Sequence, residues 1–304
     1  MEEGSRRAVL AALAANLGIA AAKFVAFAIT GATALLAEAI HSVADSGNEA
    51  ILGVGGWRAQ RAPTAKHPFG YGRERYFFAF VVALILFSLG SLFAIYEGVM
   101  KLAHLEPVDH PAVGFVVLGV ALVLESLSLR TATRAASPAR GDQTWWGFIR
   151  TAKAPELPVV LIEDFGGIVG LLLAVLGLAL TVATGDPTYD AAASVAIGAL
   201  LGVLATVLAV ETKSLLIGEA ASADDVADIR DAIADGPEVE RLIHLRTQHL
   251  GPEELLVAAK IDLSARAEPD TARAIDRVEA RIRARVPHAR VIYLEPDVYR
   301  DDAP

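Results

Sequence analysis

AEAIHSVADSGNEA, Ala37–Ala50, sets Glu38, His41, Asp45, Asn48 and Glu49 inside a run otherwise built mainly of Ala, Leu, Ile, Val and Gly. Ala34, Glu38, His41, Asp45, Asn48 and Leu52 are spaced by alternating intervals of four and three residues, which on an α-helix is a single stripe. An Asp at the centre of a membrane helix costs about 2.5–3.5 kcal/mol on insertion scales, so such a stripe turns toward a bundle interior or a water-filled path. The run covers about residues 32–57, and at about 1.5 Å per residue Asp45 stands about 18–20 Å from either end, near the midplane. His41 lies one turn outward. A His and an Asp four residues apart can point at one ion, and both accept when deprotonated, so the pair suits a divalent cation. The structural alternative is a polar pair that ties helices together through hydrogen bonds.

The rest of the composition fits a membrane setting. Of 304 residues 54% are hydrophobic, and the mean hydropathy is +0.45, high for a surface that water must wet. The formal net charge of -9 comes from acids crowded into the C-terminal part, which argues against nucleic acid as a partner. With no cysteine, disulfide frameworks, thiolate nucleophiles and Cys-based zinc sites are excluded, and any metal must be held by nitrogen and oxygen. No signal-peptide layout precedes the first apolar run, which begins near Ala8. Gly-x-Ser-x-Gly, P-loop and His-Glu-x-x-His motifs are missing, so the chain is expected not to be an enzyme and to carry no cofactor, a divalent cation being substrate only.

Six apolar runs have membrane-spanning length, at about 8–30, 32–57, 77–101, 112–131, 157–184 and 188–211, the fourth being the shortest. Lipid cannot satisfy free backbone groups, so each is expected to be helical. Arg6 and Arg7 precede the first; Arg58, Arg61, Lys66, Arg73 and Arg75 lie between the second and third; Arg130, Arg134, Arg140, Arg150 and Lys153 surround the connection from fourth to fifth. The positive-inside rule then places both termini in the cytoplasm. The expected division is a transmembrane domain over 1–215 and a soluble domain over 216–304. In the latter, Ser222 caps a helix, strands follow at about 239–249 and 254–263 around the turn Leu250-Gly251-Pro252, a helix at about 269–286 aligns Ala272, Ile275, Val278, Ile282 and Val286, and a last strand holds Val291, Ile292 and Tyr293. The order is αββαβ, an α+β domain.

Partners for His41 and Asp45 are sought in LPVVLIEDFGGIVG of the fifth run, where Glu163 and Asp164 are adjacent and point about 100° apart on a helix. Gly166, Gly167 and Gly170 there, and Gly198 and Gly202 in the sixth run, permit close helix approach. A start at Leu157 leaves Asp164 only about 10 Å from the inner end, shallower than Asp45, so an earlier start through Pro155 and Pro158 is expected.

HSVADSGNEAILGVGG, the loop and span KHPFGYGRERYFFAFVVALILFSLGSLFAIYEG, VVLIEDFGGIVGLLLAV and the domain string HLRTQHLGPEELLVAAKIDL together resemble the cation diffusion facilitator family of divalent-metal transporters, over nearly the whole chain. The resemblance implies a six-helix transmembrane bundle with a midplane site on the second and fifth spans, a C-terminal cytoplasmic ferredoxin-like domain, a homodimer in the lipid bilayer, and exchange of cytoplasmic metal for protons. Carried over, the site holds His41 and Asp45. Where many members have a second His-x-x-x-Asp, this chain has Val160 and Asp164, as in a sub-branch related to the mammalian zinc transporter nine type with a Glu-Asp pair; the fourth ligand is open among Glu163, Glu156, Asn48 and water. His67 matches one ligand of a loop site whose other positions are Thr64 and Tyr71, and no metal is assigned there. His244 and Glu295 match ligands of a regulatory site in which Lys260 and Tyr293 replace histidines, so that site is expected to be degraded.

One imidazole with carboxylates suits zinc first, then cobalt or manganese, and poorly copper(I); iron(II) is a further candidate. Zinc/proton antiport is therefore the expected function, against a proton or cation channel or a non-transporting scaffold. Glu125 is weighed as a path residue against an ion pair near the inner surface. Glu97 and Lys101 are expected to pair as i, i+4 neighbours. His249 is expected at a solvated surface and Trp145 and Trp146 at the membrane interface. Ala- and Arg-rich composition with compact loops points to a bacterial inner membrane.

Overall fold

The computed structural model describes residues 3–264 and 270–300, with side chains from 17 onward, so the side chains of Arg6 and Arg7 and the expected first residue of the last helix, 269, lie outside the described residues. Two compact units emerge, residues 1–57 with 77–212, and 58–76 with 213–304.

In the first unit each apolar run is one helix: α1 (Glu3–Thr30), α2 (Thr33–Ala59), α3 (Glu74–Ala103), α4 (Pro111–Arg140), α6 (Glu156–Thr184) and α7 (Thr188–Ile217), with a short α5 (Trp145–Thr151) before α6. By length and hydropathy α3, α4, α6 and α7 can cross a membrane. The fourth helix outlasts its short apolar run: α4 carries nine residues past 131, through Pro138, before Gly141 ends it with φ of 56°. α6 starts at Glu156 with Pro155 at its cap, so the expected earlier start gains a single residue; prolines without an N–H fit a first turn and stop extension behind it. Asp164 therefore sits about 12 Å from the inner end of its helix.

Glycine lets the helices close up. At Gly198, a Cβ would stand 2.8 Å from both Ile95 N and Ser91 O, and at Gly202 one would stand 2.7 Å from Ser91 Oγ. The facing stretch of α3, Leu86–Leu92, winds as a π-helix, the kind of local opening that accommodates an extra residue.

The tight α1–α2 turn is made by Gly31, in the left-handed region at φ 64°, where residues without a Cβ are favoured. Asp190 of α7 caps it. Its Oδ2 accepts from Thr33 N at 2.7 Å, Thr33 Oγ1 at 3.0 Å and Lys101 Nζ at 3.0 Å, and its Oδ1 accepts from Ala34 N at 3.4 Å. Lys101 also donates to Gly31 O at 2.6 Å. Lys101 thus pairs with Asp190 instead of Glu97, because the buried carboxylate and carbonyl offer partners that a half-exposed helix face does not.

The second unit has the expected order: α8 (Ala223–Ala234), β1 (Val239–Gly251), β2 (Glu254–Leu263), α9 (Thr271–Arg285) and β3 (Val291–Pro296). Ser222 caps α8, accepting from Asp225 N at 3.0 Å. β1 and β2 are antiparallel and β2 and β3 parallel. Leu255, Val257, Ala259 and Ile261 alternate onto one sheet face, under Ile229 and Ile233 of α8 and Val278 and Ile282 of α9. Ala274 is the buried alanine of α9; Ala272 is exposed, one residue out of phase with the sheet. His249 is buried at 3% exposure, not solvated: its N donates to Glu219 O at 2.9 Å and its ring stacks on His288 with centroids 6.1 Å apart.

Glu238 joins β1 to α9, accepting from Arg277 Nε at 2.5 Å and Arg281 Nη1 at 3.1 Å. Burial alone would raise its carboxyl, but these arginines and a backbone hydrogen bond hold it below the ordinary carboxylate range. A group depressed in the folded state stabilises fully above its unfolded pKa and loses that contribution as pH falls through the folded value. Glu238→Gln is expected to destabilise this unit by about 2 kcal/mol at pH 7 and by progressively less in acid. Amide exchange of β1 and α9 in the full chain, corrected for intrinsic rates, checks this; a deficit that persists unchanged in acid contradicts it.

Candidate metal-transport site

The α2 stripe turns inward as the spacing predicts: Glu38, His41 and Asn48 are buried at 0%, 1% and 0% exposure. His41 Nδ1 lies 3.3 Å from Asp45 Oδ1. Asp45 lines a polar cavity with Ser42 and Glu49 of its own helix, Glu125 and Ser128 of α4, and Glu163 and Asp164 of α6. The divergence of adjacent residues on a helix predicts that only one acid of α6 faces the stripe squarely; here both border the cavity.

Each acid is tied by a neighbour. Asn48 Nδ2 donates to Glu163 Oε1 at 2.6 Å, and Ser128 Oγ donates to both oxygens of Asp164 at 3.1 Å. Asn48, one of the open fourth-ligand candidates, is thus a hydrogen-bond donor to another. Among the described residues no three His, Asp or Glu side chains converge closely enough to hold a metal ion. His41 Nε2 has no hydrogen-bond partner among the described residues. It faces Gly167, where a Cβ would stand 3.6 Å from it and 3.5 Å from Glu125 Oε2. Glu125 has no ion-pair partner among the described residues and belongs to the cavity wall, which favours the path reading of this residue over the ion pair.

Lys23 was missed. It lies in α1 at 0% exposure, its Nζ donating to Ser42 Oγ at 2.7 Å and Glu38 Oε2 at 3.2 Å. A lone lysine within an apolar run is itself a signal of inward placement, and the sequence displayed it.

The other metal candidates are occupied by protein contacts. Thr64 Oγ1 and Tyr71 Oη are 3.3 Å apart, and His67 packs on Tyr71. Strand register aligns His244, Lys260 and Glu295 in one row. Lys260 Nζ lies 3.0 Å from Asp297 Oδ2 and 3.1 Å from Glu295 Oε1; those hydrogen bonds, Asp297 first, raise its pKa, so a cation stands in the register row between His244 and Glu295. Trp145 and Trp146 are exposed on α5, with Arg140 4.7 Å above the Trp145 ring.

Long apolar helices that bring Asp45, Glu49, Glu125, Glu163 and Asp164 to one polar cavity have the arrangement of a membrane protein with a functional site among its spans. The chain belongs to the cation efflux family: the family's Cation efflux transmembrane domain matches residues 9–217. It is an integral membrane protein of the cation diffusion facilitator family. It is similar to the mouse protein named Proton-coupled zinc antiporter SLC30A9, mitochondrial, at 27% identity over 87% of this chain and 47% of that protein. Metal tolerance protein C4 of Arabidopsis thaliana is 31% identical over 86% of this chain and 58% of its own length. Magnetosome protein MamB of Paramagnetospirillum magneticum is 24% identical over 88% of this chain and 85% of its own. The chain spans about half the length of the first two.

Proposed function

We propose that this chain exports zinc from the cytoplasm in exchange for protons, with His41, Asp45 and Asp164 as ligands and Glu163 as the fourth. The observation that carries the reading is the cavity where the His41/Asp45 helix and the Glu163/Asp164 helix meet. Ligation requires neutral imidazole and ionised carboxylates, so an arriving cation displaces protons, and reprotonation from the opposite side ejects it. Asn48 and Ser128 hold the two acids of α6 until the metal draws them in. The donor set, one nitrogen with carboxylate oxygens, suits zinc and also cobalt and manganese. The name of the mouse relative supports both zinc and proton coupling.

In this reading α1 and α2 complete six spans, residues 216–304 form a ferredoxin-like cytoplasmic domain that pairs two copies, both termini face the cytoplasm of a bacterial inner membrane, and the helices rock around a fixed site. Proteoliposomes holding zinc outside and an imposed pH gradient test the coupling. Zinc uptake should rise when the lumen is acidic and should carry protons outward; uptake indifferent to the gradient, with no proton movement, rejects antiport. A monomer by light scattering in detergent rejects the paired domain.

A further inference from the structure

Glu38 stands one turn outward from His41 on the same stripe, and its two carboxylate oxygens have different surroundings. Oε2 accepts from Lys23 Nζ at 3.2 Å, and the same ammonium is held by Ser42 Oγ at 2.7 Å. Oε1 is buried and has no hydrogen-bond partner among the described residues. It is aimed at Gly170 of α6, where a Cβ would overlap it. One turn inward on α6, Gly167 has His41 Nε2 and Glu125 Oε2 in front of it. The two glycines therefore leave a strip free of side chains along α6. On it open, in order, the nitrogen and carboxylate beside the cavity and then the spare oxygen of Glu38.

The chain contains its own control for a purely structural reading. A second buried lysine–carboxylate pair, Lys101 with Asp190, uses both carboxylate oxygens on donors. A carboxylate whose only task is to hold a helix has its lone pairs filled in this way, because a buried acceptor without a donor is costly. Glu38 keeps one oxygen unused, facing the same strip as the site. Lys23, meanwhile, is a compact point charge on a flexible stem, fixed at 0% exposure beside that oxygen's twin.

We propose that Glu38 is the outward release ligand of the transported cation and Lys23 a tethered cation that holds it between ions. This rests on the reading of the chain as a zinc carrier. A divalent cation leaving His41 and Asp45 passes to Glu38 Oε1, where it meets the ammonium of Lys23. Like-charge repulsion then weakens the new contact, so that Glu38 hands the ion on and does not retain it. Once the ion has gone, Lys23 neutralises Glu38, and the empty carrier does not strand a bare carboxylate in the membrane.

The test uses the full-length protein in proteoliposomes, with zinc as the probe and two readouts, equilibrium zinc binding and zinc flux. Lys23→Met/Glu38→Met removes both charges together, which spares the fold an unpaired buried ion. Binding should survive and flux should fall by at least about tenfold, the scale of losses from groups around a metal site. Lys23→Arg, which keeps the charge, should retain most of the flux. Flux equal to that of the unaltered protein overturns the proposal, and so does loss of binding together with flux, which marks the pair as scaffolding of the site. If the double variant does not fold, Gly170→Ala crowds Glu38 Oε1 with both charges kept: reduced flux with intact binding supports the release role, and unchanged flux overturns it. An unaltered protein that moves no zinc at all rejects the carrier reading itself, whatever the variants do.

Discussion

Asp45→Ala is expected to abolish saturable zinc flux in proteoliposomes, a loss of about 100-fold or more, while leaving the fold intact. The magnitude follows from position. Outer-shell partners of a metal already cost 10–100-fold when removed, and Asp45 both contacts His41, at 3.3 Å, and borders the cavity shared with Glu163 and Asp164. Its loss deprives the ion of an anionic ligand and His41 of its partner. Stability should hardly suffer, because removing a half-buried carboxylate that lines a cavity with other acids relieves repulsion. The comparison should include manganese and cobalt, since the donor set admits them. Flux that survives the substitution for every metal would return the stripe to a structural role.

Asp190→Ala should produce the largest loss of stability in the membrane unit. It deprives Lys101 of its carboxylate and strips the cap from Thr33 and Ala34 at the head of α2. Breaking a buried ion pair from one side costs about 3–5 kcal/mol because the surviving charge is uncompensated. Loss of a helix cap adds about 1 kcal/mol. The thermal midpoint in detergent should drop by roughly 10 °C. Lys101→Met added to Asp190→Ala should recover most of the deficit, apart from the cap. A single variant that melts within a degree of the unaltered protein would show that the pair contributes nothing net.

Much of this architecture could be read beforehand, and the reasons are specific. Apolar runs of membrane length fix helix positions to within a few residues, and the period of three and four through Ala34 to Leu52 fixes which side of α2 is buried. Period says nothing about which neighbour receives a side chain. Lys101 was assigned to Glu97 by spacing, while its partners come from a glycine 70 residues away and an aspartate 89 residues away. For the same reason Lys23 escaped notice, since its partners lie on another helix. His41, Asp45, Glu163 and Asp164 can all be named as candidates, three of them as an unusual charge in a greasy run and one from its partner in a motif. That Asn48 and Ser128 hold the α6 acids was not, because an amide and a hydroxyl carry no such anomaly.

The π-helical stretch Leu86–Leu92 amounts to a phase shift in a periodic object. Residues before it and after it are numbered continuously but no longer share one angular frame, so Tyr76 to Leu86 and Ser91 to Gly98 are buried on faces that a regular helix would offset by about 100°. Deleting one residue from this stretch would give α3 better backbone geometry and a worse sequence. Ala94 and Gly98, which meet Ser194 and Val195, would rotate away while the half below stayed in place. The helix is therefore written in two reading frames, and substitutions learned on one side of Gly90 carry no positional meaning on the other.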